Sequence, residues 1–156
     1  MSKKRNISLI VIHCSATREN TDYTFEQCIR DHKARGFKGC GYHRFISKDG
    51  TIHIGRPLSQ VGSHVSGSNS ISIGICYEGG LDAKGKPKDT RTPAQKASIL
   101  KCIEEAKAYA GASLKRITGH RDLSPDLDGD GVVEPNEWVK MCPCFNAEPE
   151  YRHLIG

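Results

Sequence analysis

The sequence predicts a single α/β domain with a central mixed β-sheet flanked by helices. Three observations carry this. Short apolar runs alternate with stretches of helical spacing, the order expected of strands and helices that share one sheet. The chain has 156 residues, a length that suits one domain and buries roughly two-thirds of the unfolded surface without disulfides or structural metal. No repeat, low-complexity tract or linker divides residues 1–156.

The elements follow in order. Residues 7–12 form a short, nearly continuous apolar run, which reads as a buried strand. Thr24-Phe-Glu-Gln27 is a capping box with Tyr23 and Cys28 placed as a staple across it. The helix it opens should run to about Arg35 and stop at Gly36. Residues 42–46 and 51–56 flank Lys48-Asp-Gly50, a hairpin signal. Residues 70–77 alternate and then turn apolar, like a central strand that ends at Gly79-Gly80. Residues 81–89 are polar, contain Gly85 and Pro87, and read as an exposed loop. Thr92-Pro-Ala-Gln95 is a second capping box, with Pro at the first helical position. Ile99, Ile103, Ala106 and Ala110 follow at helical spacing until Gly111. Residues 116–119 read as a short strand, and the remainder as loop with a short helix near residues 149–154.

Composition narrows the function classes. The hydrophobic share is 37%, and no apolar stretch approaches the ~20 residues of a membrane span, so membrane insertion is not expected. Met1-Ser-Lys-Lys-Arg5 is basic like a signal n-region, but the apolar segment after it is short and broken by Asn6 and Ser8. No small-residue cleavage site follows, so the segment reads as a core strand, and synthesis in the cytoplasm without a signal peptide is expected. The seven cysteines are an odd count with no small-scaffold spacing, which favours reduced thiols. A formal net charge of +5 favours anionic partners, cell-wall polymers or nucleic acid, without choosing between them.

The candidate chemistry rests on His13, which ends the first apolar run, His120, which ends the strand at 116–119, and Cys142 in Lys140-Met-Cys-Pro-Cys144. Two imidazoles and one thiolate make a zinc shell with one open position, the catalytic rather than the closed structural arrangement. Pro143 restricts Cys142 to an extended conformation, and Lys140 is a nearby positive charge that favours thiolate. Cys144 is a rival ligand, since residues two apart in an extended segment point the same way.

An ordered set of motifs runs along the chain: Val11-Ile-His-Cys-Ser-Ala16, Gly41-Tyr-His-Arg-Phe-Ile46 with Lys48-Asp-Gly50, and Val61-Gly-Ser-His64. It continues through Asn69, Ser72-Ile-Gly74, Gly79-Gly80, Thr92-Pro-Ala-Gln95, Gly119-His120 and Lys140-Met-Cys-Pro143. These residues carry a resemblance to the zinc N-acetylmuramoyl-L-alanine amidases of the phage-lysozyme and peptidoglycan-recognition family. The resemblance implies a zinc cleft on one face of the sheet and cleavage of the amide between N-acetylmuramic acid and the L-alanine of the stem peptide. It implies His13, His120 and Cys142 as zinc ligands, with Cys142 chosen over Cys144, and Tyr42 and Lys140 as catalytic groups. Lys140 would stabilise the developing oxyanion, and the Tyr42 phenol would hydrogen-bond the attacking water or the tetrahedral intermediate. His64 and Asn69 resemble cleft-wall positions and are candidates for binding the muramyl peptide. His43 should face away from Tyr42 and be buried; His32, His53 and His153 carry no signal.

One segment departs from the shorter members of that family. Asp126-Leu-Asp-Gly-Asp-Gly-Val-Val-Glu-Pro-Asn-Glu137 fits the twelve-residue calcium-loop pattern, with Asp126, Asp128, Asp130, the Val132 carbonyl and Glu137 as ligands. Ser124-Pro125 before it rules out an entering helix, so the reading is a lone Ca2+ loop stapling an insertion at residues 124–138. The expected function is a zinc amidase acting on peptidoglycan in the manner of a phage or prophage endolysin. It would be a monomer, released to the wall through a holin or another route, with a nucleic-acid partner not expected. The alternatives are a non-catalytic peptidoglycan-binding module or a regulatory protein of the same fold.

Overall fold

In the computed structural model, residues 5–65, 67–123 and 141–155 are described. Lys140 and the acidic loop carrying Asp126, Asp128, Asp130, Val132 and Glu137 lie outside them.

A five-stranded sheet forms the centre, in the order β4 (Ile52–Ile54), β3 (Arg44–Ile46), β5 (Ser72–Tyr77), β1 (Leu9–Cys14), β7 (Arg116–Gly119). Strand β1 pairs in parallel with β5, from Leu9↔Ser72 to Cys14↔Tyr77, and with β7, from Leu9↔Arg116 to Ile12↔Gly119. Strand β3 is parallel to β5, while edge strand β4 returns antiparallel through the predicted turn at Lys48-Asp-Gly50. Gly50 sits there at φ +88°, and Asp49 accepts the Thr51 N–H at 2.9 Å.

Alternation along the strands gives the sheet two different faces. Ile10, Ile12, Ile46, Ile73, Ile75, Tyr77 and Ile117 pack with Ile99, Cys102, Ile103 and Ala106 of helix α2 (Pro93–Ala110) and with Ala147 and Tyr151 of α3 (Ala147–Tyr151). Each fully buried isoleucine is worth about 1.5–3 kcal/mol, so this layer is the main source of stability. On the other face, Phe45 and Cys76 meet Cys28 of helix α1 (Phe25–Ala34) and Cys40, and Leu9 and Val11 meet Val65. That face is less apolar and carries the polar residues discussed below.

Both predicted helix starts are present. Thr24 accepts from the Gln27 N–H, and Thr92 and Gln95 close a reciprocal box behind Pro93. Several boundaries differ from expectation. The first strand runs over Leu9–Cys14, its length set by six paired residues of β5. Asn69–Ile71 is a turn of 3-10 helix, and β5 begins only at Ser72. Residues 81–89 are not wholly loop, because β6 (Gly80–Leu81) pairs in parallel with β2 (Thr17–Arg18). Residues 120–123 form a 3-10 turn, and α3 begins at Ala147, before Pro149. All seven cysteines are free thiols, as expected.

Candidate active site

Strands β1 and β7 are parallel, so their C-terminal ends lie on one edge of the sheet, where open α/β sheets place ligands. His13 lies near the end of β1 and His120 directly follows β7. Cys142 reaches them from a turn at residues 141–145 that is pinned from two sides. The Arg121 N–H donates to the Cys142 carbonyl at 2.8 Å, and the Tyr77 hydroxyl donates to the Pro143 carbonyl at 2.5 Å. Gly119 makes the approach possible, since a Cβ there would lie 2.6 Å from Pro143 Cδ. The Cys142–Pro143 peptide is cis.

The ligand atoms of His13, His120 and Cys142 all lie within 4.8 Å of one another. Cys142 Sγ is 3.8 Å from His13 Nδ1 and accepts the Cys14 N–H at 3.1 Å. Two imidazoles and a thiolate are the donor set zinc takes, so the residues fit that ion. Cys144 is not in this group. Its φ of +66° turns it out of the extended path on which the alternation argument rested, and its sulfur lies 3.9 Å from Cys14 Sγ.

Tyr42 stands beside the trio, its ring centroid 5.0 Å from that of His13. Burial, and behind it the surrounding thiols, raise its phenol well above the ordinary tyrosine value. His43 is fully buried: its Nδ1 accepts the Gly74 N–H at 3.0 Å, and its Nε2 lies 2.7 Å from the Gln60 carbonyl. It does not face away from the site as alternation suggests, because β3 begins only at Arg44, and its ring centroid lies 5.8 Å from that of His64.

His64 and Asn69, the two candidates for substrate contact, are both engaged within the protein. His64 Nδ1 is 2.8 Å from His13 Nε2, and its Nε2 is 3.1 Å from Ser72 Oγ. Burial, helped by His43, His120 and nearby arginines, lowers the His64 imidazole to about 3. The Asn69 side-chain oxygen accepts the N–H groups of His64 and Val65, both at 2.9 Å, and so holds the loop that carries His64. Sequence reading missed the His13–His64 contact. Its signal was Gly74, where a Cβ would come within 2.6 Å of the His64 ring: the motif keeps glycine where that ring must lie on the sheet.

The N-acetylmuramoyl-L-alanine amidase family profile matches residues 3–135. The endolysin of Klebsiella phage KP32 is 38% identical over 148 residues, covering 94% of this chain and 87% of the phage protein. The chain belongs to the N-acetylmuramoyl-L-alanine amidase family. Among solved structures, the amidase LysC from Clostridium intestinale URNW superposes with a TM-score of 0.72 at 29% identity, over 97% of this chain and 87% of LysC. Bumblebee PGRP-SA shares the fold, with a TM-score of 0.68 at 19% identity over 94% of this chain and 81% of its own. This amidase hydrolyses the bond between N-acetylmuramic acid and L-alanine in peptidoglycan. Among its described residues no helix is long and apolar enough to cross a membrane.

Proposed function

We propose that this amidase is a zinc enzyme of the endolysin type, with His13, His120 and Cys142 as metal ligands. The observation that carries the reading is the convergence of those three ligand atoms, within 4.8 Å, from three stretches far apart in sequence. Zinc bound there supplies the Lewis acidity that opens an amide carbonyl to attack by water near neutral pH.

The chain's own groups do the rest. The Cys14 N–H holds the Cys142 sulfur in place. His64 fixes the His13 ring through Nε2, leaving Nδ1 turned toward Cys142, the kind of outer contact that orients a ligating imidazole. Asn69 acts one step further out by holding the His64 loop. In this reading both are positioning residues rather than substrate contacts. Tyr42, half-buried beside His13, donates its phenol proton in a hydrogen bond to the oxygen on which charge develops, and Lys140 supplies a second, cationic donor.

The test is release of dye-labelled cell wall by wild type and Cys142→Ser, each with its metal content measured. The reading expects the variant to lose both zinc and release; equal release by the two proteins would reject it. The sequence pattern at Asp126–Glu137 adds a Ca2+ loop whose occupancy would order the approach to Lys140 and Cys142. Calcium should then raise the melting temperature of the zinc-loaded protein, and Asp128→Ala should abolish the rise. An identical melting temperature with and without a calcium-selective chelator would remove calcium from the account.

A further inference from the structure

Next to Tyr42 lies a second group of sulfur and imidazole side chains that the amide chemistry does not use. The ligand atoms of Cys28, His32 and Cys40 lie within 4.8 Å of one another, and all three residues are buried. Cys28 and His32 are one turn apart on α1 and share a face, while Cys40 lies two residues before Tyr42. The Cys28 and Cys40 sulfurs are 4.0 Å apart, and Cys28 Sγ is 3.9 Å from His32 Nε2. The His32 ring centroid is 5.2 Å from that of Tyr42.

Two chemistries suit such a group, a metal ion or a dithiol, and the far side of the histidine ring decides between them. The Gly41 N–H donates to His32 Nδ1 at 2.7 Å. A backbone N–H only donates, so Nδ1 keeps its lone pair and the neutral ring carries its proton on Nε2, the nitrogen near the sulfurs. A histidine that ligates metal through one nitrogen carries its proton on the other. His32 is arranged the opposite way and turns an N–H toward sulfur, which favours a thiolate. The Cys40 thiol is lowered, by its bond from Cys28 and then by His32, while the same bond and burial push Cys28 up. A thiolate beside a thiol is the pairing that thiol–disulfide exchange uses. Cys14 and Cys144 are as close, but they flank the proposed metal ligands His13 and Cys142 and belong to that site.

A cavity of about 250 Å³ is lined by Cys28, His32 and Tyr42 and by the exposed Asp31 and Arg35. We propose that Cys28 and Cys40 are a disulfide-forming pair, closed by exchange with a low-molecular-weight disulfide that enters this cavity. In the first step Cys28 passes its proton to the Cys40 thiolate, 4.0 Å away, and the Cys28 thiolate so formed attacks one sulfur of the small disulfide; the S–S bond breaks, and the departing small thiolate takes that proton from Cys40 and leaves as a thiol, restoring the Cys40 thiolate. In the second, the Cys40 thiolate attacks Cys28 Sγ, the Cys28–Cys40 bond forms, and the other small thiolate leaves to take its proton from water. The protein pair is oxidised by two electrons and the small disulfide is reduced to two thiols. The new bond ties α1 to the stretch that carries Tyr42. The inference rests on the peptidoglycan reading for its setting alone: the wall lies outside the reducing cytoplasm, where disulfides persist.

The full zinc-loaded chain, purified reduced, is incubated with hydroxyethyl disulfide, alkylated, digested without reductant and mapped by mass spectrometry. The expected result is a peptide pair joining Cys28 to Cys40 with the mass loss of two hydrogens. The melting temperature should rise by about 5–10 °C, and dithiothreitol should reverse both changes. In Cys40→Ala the reaction should stop at a mixed disulfide on Cys28. A wild-type chain with no Cys28–Cys40 link, or one that joins Cys14 to Cys144 instead, overturns the proposal. A second zinc ion per chain that disappears in Cys28→Ala overturns it as well, in favour of a metal site. The readout is mass, so a failure of wall release, which bears on the amidase reading, leaves this test unaffected.

Discussion

His13 is held through both ring nitrogens: Nδ1 lies 3.8 Å from the Cys142 sulfur and Nε2 lies 2.8 Å from His64. A neutral ring that turns the Nδ1 lone pair to a metal keeps its proton on Nε2 for His64. His64 then has its own N–H left for Ser72 Oγ, 3.1 Å away. With Nδ1 given to a metal, the chain of donors runs from His13 through His64 to Ser72, which is why we assign His64 to positioning. His64→Ala should weaken zinc affinity and slow wall release by about 10–100-fold. Competition with a chromogenic chelator measures the first, and an affinity equal to wild type would remove His64 from the relay. Lys140→Met should slow release by about 100-fold or more while leaving zinc content unchanged; loss of zinc in that variant would make Lys140 structural. His43 gives a prediction in pH. Burial, and after it the nearby Arg5, Arg44 and Arg56, lower its imidazole from 6.5 to about 4. Above pH 6.5 folded and unfolded chains are both neutral at this residue. Below it the unfolded chain takes the proton first, so stability falls with pH and the loss is complete near pH 4. The full drop is worth about 3 kcal/mol. Denaturant melts should already show the decline between about pH 6.5 and 5, above the range where carboxylates titrate; a flat profile there would contradict it.

At the scale of elements, Gln95 shows what a sequence motif conveys and what it omits. The capping box at Thr92-Pro-Ala-Gln95 is legible because its residue types and spacing suffice to define it. The same Gln95 side chain is fully buried and donates to the carbonyls of Glu78 and Ile46, at 2.9 and 3.3 Å, so it also ties α2 to β3 and the end of β5. Those long-range partners leave no local signal. Gln95→Ala should destabilise the fold by about 2–3 kcal/mol, from one lost cap and the stranded Glu78 carbonyl, since the Ile46 carbonyl keeps the Glu78 N–H at 2.8 Å; a loss under about 1 kcal/mol in urea unfolding would show that the sheet contacts are incidental. The first strand is a related case. Its apolar run suggests an end at Ile12, but pairing with β5 carries it to Cys14, because the polar His13 is satisfied by His64. The β2–β6 pair, two residues in each strand, is too short for any periodicity to announce it.

For the whole molecule, most of the layout is written locally, in apolar runs, two capping boxes and a hairpin turn. The site is legible in a different way. His13, His120 and Cys142 carry little meaning singly, and composition alone leaves Cys142 and Cys144 equivalent. The turn at residues 141–145 separates them, since Cys144 adopts a positive φ that alternation does not anticipate. The group at Cys28, His32 and Cys40 leaves no signal in the sequence, because Cys40 joins the cysteine and histidine of α1 only through the folded chain. The account's central claim is that three distant residues form one zinc centre. The most direct measurement is zinc content per chain in protein purified without added metal, for wild type and Cys142→Ser side by side. The account predicts one zinc in the wild type and little or none in the variant; a metal-free wild type, or the same zinc content in both, would contradict it.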